Sequence, residues 1–450
     1  MQHNLGTEKV SRLLWQLSIP AILGMLSSAI FNIVDRIFVG KISSNALTAV
    51  GITMPIQVLQ MAFILLIGVG SSALISIKLG EGKKEEAEDI LFLSFRYIIL
   101  FLIGFAVLFV LFIDPILTLL SISEQVRPYA KTYIEILMVG AIFGIPGYCL
   151  NNSLRSIGQA KVTMKIIMAT SILNMVLDPL FIYGFDLGIA GAAYATVISQ
   201  TVLTIYVVYV FCNNKEFMIR LKRRKVTNQI SLAKQMFKMG LPSFYVQILA
   251  TVVNVFINNR MLAVGSDLDI AAVTIMSTIY SFYHMVVFGI VQGNNAICGY
   301  NWGAKQYGRV RSSLKLALVS AFMISTGLFC VIELFPGALV SMFAKEHELV
   351  EITKEGIRIY LCMLPILGLH TISSQYFQAV GKANRSSMLS FLRYGVIVVP
   401  VMLVLTPIAK VKGIYLSNAI SDGVASIIAI VCIVMEVRRL KKMEQNQVCL

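Results

Sequence analysis

Residues 171–191 read SILNMVLDPLFIYGFDLGIAG. The stretch is almost wholly apolar, yet Asp178 stands inside it, one helical turn after Asn174. A carboxylate among hydrocarbon side chains needs a reason, and that reason depends on what surrounds the stretch.

What surrounds it is more of the same. Of 450 residues, 57% are hydrophobic and 14% charged, and the charges gather between long apolar runs. Twelve runs are distinguishable, at 13–37, 46–77, 90–113, 131–154, 163–185, 188–211, 236–259, 270–298, 314–339, 356–379, 388–408 and 413–436. A run of roughly 18 apolar residues can cross a bilayer. Inside hydrocarbon the backbone must satisfy its own hydrogen bonds, so each run is expected to be a helix. The expected fold class is an all-α integral membrane protein of twelve spans. The first run, from Leu13, is too long for a secretory signal and has no small-residue cleavage site after it, so it reads as the first span. The seven cysteines, Cys149, Cys212, Cys298, Cys330, Cys362, Cys432 and Cys449, form no CxxC pair. They suit apolar packing better than disulfides or a metal site.

The net charge of +15 has a topological explanation. With the N-terminus inside, Lys and Arg number 28 on the inner side and 10 on the outer, a strong positive-inside bias. Both termini of this multi-pass chain are therefore expected in the cytoplasm. The run RLKRRK, Arg220 to Lys225, is expected to be a linker near anionic headgroups and not a nucleic-acid contact.

The two halves match across that linker. Pro20 pairs with Pro242, Asn32 with Asn254, Gly80 with Gly303, Gly158 with Gly381, Ala160 with Ala383, Gly191 with Gly413 and Ser199 with Ser421, always 222 or 223 residues apart. The expected organisation is an N-terminal six-helix lobe (1–212), a basic cytoplasmic linker (213–235) and a C-terminal six-helix lobe (236–450). Six spans return the chain to its starting side, so the lobes are expected to share one orientation about a pseudo-twofold axis along the membrane normal. Such repeats are typical of secondary transporters.

Catalytic and nucleotide motifs are missing. There is no GxxxxGK[ST], HExxH or GxSxG, and GEGKK at 80–84 has no strand beside it. His3, His284, His347 and His370 are scattered. Uphill transport would then draw on an ion gradient, with no bound cofactor.

Acids well inside the spans are few: Asp35, Glu135, Asp178, Glu333 and Asp422. A charge at bilayer depth costs about 2.5–3.5 kcal/mol on insertion scales. Counted from the outer span ends at 1.5 Å per residue, Asp178 and Thr196 lie about 12 Å deep and Asp35 about 9 Å. Asn174 shares a helical face with Asp178. Four oxygen-bearing side chains thus fall in one slab of the N-terminal lobe, suited to Na⁺ or to a proton. The bland alternative is that Asp178-Pro179 marks a helix kink and that Arg36 neutralises Asp35. Against it, the repeat places Ile257 and Val396 opposite Asp35 and Asn174, and Val-Pro-Val at 399–401 opposite Asp178, so the second half keeps the pattern without the acids. Gln57, Asn254, Asn258, Tyr280, His284 and Met285 are candidates for a substrate cavity, with helix packing as the competing explanation. GVGSSALIS in the second span is expected to be a close-packing face. Glu135, Glu333 and Asp422 are expected near span ends, where interface exposure explains them.

At these residues the chain resembles the MATE (multidrug and toxic compound extrusion) family. FNIVDRIFVG at 31–40 with ALTAVG at 46–51 resembles its span-1 signature. LDPLFIYG at 177–184 and GIAGAAYATVISQ at 188–200 resemble its span-5 and span-6 signatures. The resemblance covers essentially the whole chain. It implies a V-shaped two-lobe exporter that exchanges small lipophilic organic cations for H⁺ or Na⁺, and the chain is expected to work as a monomer. It implies Asp35 and Asp178 as coupling carboxylates, Asn174 and Thr196 as their partners, and Pro20 as the residue that bends span 1. Arg36 departs from the family pattern, and the C-lobe carboxylate pair of another branch is missing, which points to the bacterial DinF-like branch. The rivals are a flippase for lipid-linked or polysaccharide precursors, which would favour basic residues such as Arg155 and Arg393, and a membrane-embedded transferase, for which no His/Asp or Asp/Asp constellation is present.

Overall fold

The computed structural model describes residues 5–120, 122–214, 217–222, 226 and 228–448. Arg223, Arg224 and Lys225 of the basic run, with His3 and Cys449, lie outside the described residues.

Among the described residues the chain is helical, with no strand. In order the helices are α1 (Val10–Ile42), α2 (Ser44–Gly80), α3 (Lys84–Leu111), α4 (Ile113–Leu119), α5 (Arg127–Gly144), α6 (Pro146–Ser156), α7 (Ala160–Pro179) with a π-helical turn at Leu180–Gly184, and α8 (Gly188–Asn213). There follow α9 (Gln229–Val264), α10 (Asp267–Gly303), α11 (Tyr307–Leu334), α12 (Pro336–Ser341), α13 (His347–Tyr360), α14 (Leu364–Ala379), α15 (Ala383–Phe391) with a π-helical turn at Leu392–Ile397, and α16 (Val398–Val448).

Nine of these stretches are long and apolar enough to span a membrane. One of them, Ala383–Gln447, has 65 residues, far beyond the roughly 20 a bilayer needs. It breaks at Lys410, whose φ of 49° and ψ of −127° are not helical, and so counts as two spans. The pairs α5–α6 and α13–α14 are bent by 42° and 53°, each a single broken span. The total is twelve, as expected, but spans 4 and 10 are not straight rods. Proline opens α6 and stands in the first turn of α14, where its missing N–H costs nothing. At the first break Thr204 of α8 repairs the backbone. Its hydroxyl accepts from Gly147 N–H at 2.9 Å and donates to Gly144 C=O at 2.6 Å, the repair that membrane helices require of freed backbone groups.

The internal repeat is physical. Helices α2 and α10 both have 37 residues, and α3 and α11 both have 28. Ser43 and Ser266 cap α2 and α10 at equivalent positions, each hydroxyl accepting a backbone N–H three residues on. Gly158 and Gly381 both adopt positive φ, 83° and 79°, in the tight turns before α7 and α15.

The chain forms two compact units, Leu23–Gly240 and Leu5–Ile22 with Leu241–Leu450. The lobe boundaries expected at 212 and 236 differ from these, because α1 and α9 each divide between units. In the first unit, a Cβ on Gly70 of α2 would collide with Met236 C=O of α9. In the second, a Cβ on Gly293 of α10 would lie 2.5 Å from Ser18 Oγ and 3.1 Å from Leu14 C=O of α1. Gly70 and Gly293 are repeat equivalents, as are Met236 and Leu14. The same close crossing is therefore built twice, each time with the opening part of α9 or α1. GVGSSALIS contains one of the two glycines and is the close-packing face its composition implied. Pro20 lies within α1, just before the change of unit.

Candidate functional site

The first unit holds the acids. Helix α7 ends at Pro179 and passes into the π turn, where Phe185 N–H bonds to Leu180 C=O at 2.9 Å and Leu187 N–H to Phe181 C=O at 3.1 Å. The reversal brings α8 back against α7. Gly191 makes the approach possible, since a Cβ there would stand 2.7 Å from Phe181 C=O.

That approach brings Thr196 beside Asn174. With its amide nitrogen toward Asp178, Asn174 donates to Asp178 Oδ2 at 2.9 Å and accepts from Thr196 N–H at 3.2 Å. The reverse orientation leaves the nitrogen facing Thr196 Oγ1 at 3.5 Å. Asn174 and Asp178 are fully buried, and Thr196 is half-buried. Asp178 Oδ1 is buried without a hydrogen-bond partner.

Asp35 comes from α1. It is buried, and its Oδ1 also lacks a partner. The π turn is tied to α1 one turn further on, where Tyr183 Oη donates to Phe38 C=O at 3.0 Å and the two rings meet edge to face. Asp35 and Asp178 are near enough for their charges to act on each other. Buried Tyr133 of α5 lies within electrostatic reach of both. It went unnoticed in the sequence because a tyrosine in an apolar run carries no signal of its own.

Arg36 makes no direct contact with these carboxylates, although its charge acts on Asp35 from outside the cluster. It is exposed, its guanidinium turned toward Met54 Sδ at 3.7 Å, and no ion pair joins it to Asp35 among the described residues. Gln57 is half-buried on α2. The other candidates belong to the second unit. Asn254 and Asn258 are exposed on α9. Tyr280 and His284 stack in a row with Phe288 at 5.9 and 5.6 Å, and Met285 is half-buried beside them.

The second unit corrects one expectation. Asp422 is not explained by exposure, and Arg393 is not a free basic residue. They form a buried ion pair, Arg393 Nε to Asp422 Oδ1 at 2.7 Å, with side chains 8% and 15% exposed. Pairing across two spans means that neither charge is buried uncompensated. Glu333 is partly exposed and faces Arg358 at 3.5 Å.

Comparison with known proteins adds the family. The MatE family model matches residues 20–180 and again 242–404, one match in each half of the repeat. The multidrug export protein MepA of Staphylococcus aureus (strain MSSA476) is 25% identical over 430 residues, covering 94% of this chain and 93% of its own. Among solved structures, an outward-facing multidrug resistance MATE family transporter of the MOP superfamily superposes with a TM-score of 0.90 at 24% identity, covering 96% of this chain and 97% of that one. A MOP superfamily transporter from Pyrococcus furiosus, described as having a binding pocket of reverse polarity that suggests a different function, superposes with a TM-score of 0.89 at 24% identity, with the same coverage. With family matches in both halves and the twelve-span, two-unit fold, the chain belongs to the MATE family of transporters.

Proposed function

We propose that this protein is a multidrug efflux antiporter of the bacterial inner membrane, exporting small lipophilic organic cations in exchange for H⁺ or Na⁺ by alternating access. It works as a monomer with both termini in the cytoplasm. The observation that carries this reading is the pair Asp35 and Asp178, two buried acids in the spans of one unit, each with an unpartnered oxygen and neither ion-paired among the described residues. A carboxylate at that depth is stable when it holds a cation or a proton. Loading the site rearranges the first unit and weakens the hold on cargo, and by linkage cargo weakens the hold on the ion. The name of the Staphylococcus relative supports export of drugs.

The second reading is a flippase for lipid-linked or polysaccharide precursors. Arg155 favours it, because its Nε is buried without an acceptor. Arg393 does not, because Asp422 neutralises it. Expression in a drug-sensitive bacterium separates the two. Tolerance to ethidium should rise more than tolerance to anionic detergents. Equal or reversed protection would favour the flippase.

A further inference from the structure

The ion pair of the second unit has more around it than a staple between two helices needs. Arg393 sits in the π turn before α16. Its Nε donates to Asp422 at 2.7 Å, Nη1 to Tyr394 Oη at 2.8 Å and Nη2 to Tyr280 Oη at 3.0 Å. Its guanidinium carbon lies 4.6 Å from the Tyr394 ring centroid and 5.9 Å from that of Tyr280. Behind Tyr280 stand Tyr283, with its hydroxyl 2.8 Å from Ser325 Oγ, and His284. Ser421 Oγ donates to Arg393 C=O at 2.6 Å, fixing the turn against α16.

A carboxylate beside electron-rich ring faces is the arrangement that recognises an organic cation. Here the cation in place is the protein's own. Guanidinium is planar, delocalised and weakly hydrated, and among side chains it comes closest to a lipophilic cation. Asp422 is the more exposed member of the pair, so it can be approached while Arg393 still holds it. The contrast with the first unit is one of charge. Asp35 and Asp178 carry no basic partner, whereas the second-unit site is already neutral.

We infer that Asp422, Tyr280 and Tyr394 form the binding site for the cargo cation in the second unit, and that Arg393 is its built-in competitor. Cargo takes Asp422 from Arg393, and the returning guanidinium expels it. One cation replaces another at Asp422, so the carboxylate is never left bare in a low-dielectric region. This inference rests on the cation-export reading and names where that cargo binds.

The test is binding of tetraphenylphosphonium to the purified protein, followed by tyrosine fluorescence and by equilibrium dialysis, with export measured in proteoliposomes. Asp422→Asn should weaken binding at least about tenfold, the loss of one charge-assisted contact. Arg393→Met should tighten binding while slowing export, because nothing displaces the cargo. If the bare Asp422 prevents folding of that variant, Arg393→Lys keeps the charge without the fork that reaches both tyrosines, and should also bind more tightly than wild type. Asp422→Asn binding like wild type, or Arg393→Lys binding no more tightly, overturns the site while export of cations stands. Wild-type protein that binds no tetraphenylphosphonium overturns the export reading and the site with it.

Discussion

Asn174 Nδ2 and Asp178 Oδ2 stand 2.9 Å apart on one face of α7, while the other oxygen of the same carboxylate is buried with no donor. Half of the carboxylate is therefore held by the protein and half is free to take something else. Asp35 repeats the condition, with a buried, unpartnered Oδ1.

From this follows the first prediction. Asp35→Asn and Asp178→Asn keep the size of the side chain and remove its charge and its titratable proton. Each should abolish gradient-driven ethidium export in proteoliposomes, while the protein still inserts and purifies as a monodisperse peak. Glu333→Gln, at a partly exposed acid facing Arg358, should leave export within about twofold of wild type, since exposed pairs contribute at most about 1 kcal/mol. Full export in either Asp variant would rule out these carboxylates as the coupling site.

The broken fourth span gives a stability prediction. Thr204→Val keeps the shape but removes both hydrogen bonds to the break at Gly144 and Gly147. Each buried backbone group left unpaired costs about 1–3 kcal/mol. The thermal midpoint in detergent should fall by several degrees, and Thr204→Ser should recover most of the loss. An unchanged midpoint in Thr204→Val would mean that the bend is held by packing alone.

The repeated crossing gives a third. Gly70→Leu and Gly293→Leu should each prevent accumulation of folded protein, because any Cβ meets backbone or Ser18 at close range and overpacking forces the helices apart. Gly104→Ala, where nothing lies within 4 Å, should be neutral or stabilising by up to about 1 kcal/mol through helix propensity. Fluorescence-detected size exclusion of tagged variants reads all three. Normal accumulation of Gly293→Leu would count against the crossing in the second unit.

How much was legible beforehand follows from what each feature depends on. The twelve spans and the repeat are properties of local hydropathy and spacing, so Gly158 and Gly381, or Ser43 and Ser266, can be matched without coordinates. The association of Asn174 with Asp178 is also local, one helical turn. Thr196 was placed by depth alone, and the turn at Leu180–Gly184 is what carries it there. What escaped depends on contacts between distant segments. Nothing in α1 announces that Ser18 packs against Gly293, so the division of α1 and α9 between units was invisible. Arg393 and Asp422, 29 residues apart, each look like a stray charge near a span end, and only together do they neutralise each other. Arg36 is the opposite case: adjacency to Asp35 in sequence offered pairing as the competing reading, but successive residues on a helix face different ways, and Arg36 faces Met54.

The last prediction concerns the ion. A Na⁺ site would use Asn174 and Thr196 as oxygen ligands, whereas a proton site would use them only to position the carboxyl. The geometry favours the second use. Asn174 turns its N–H₂ toward Asp178 and commits its oxygen to Thr196 N–H at 3.2 Å, so no amide oxygen faces the carboxylate. Asn174→Ala should therefore shift the pH at which export is half-maximal while transport continues without Na⁺. Thr196→Ala, which keeps the backbone N–H, should have the smaller effect. Export is measured against Na⁺ at fixed pH, then against pH without Na⁺, in wild type and both variants. A saturable Na⁺ requirement in wild type that disappears in Asn174→Ala would show instead that the amide turns over to bind the metal ion. Export indifferent to both ions would reduce Asp178 to a part of the helix break at Pro179.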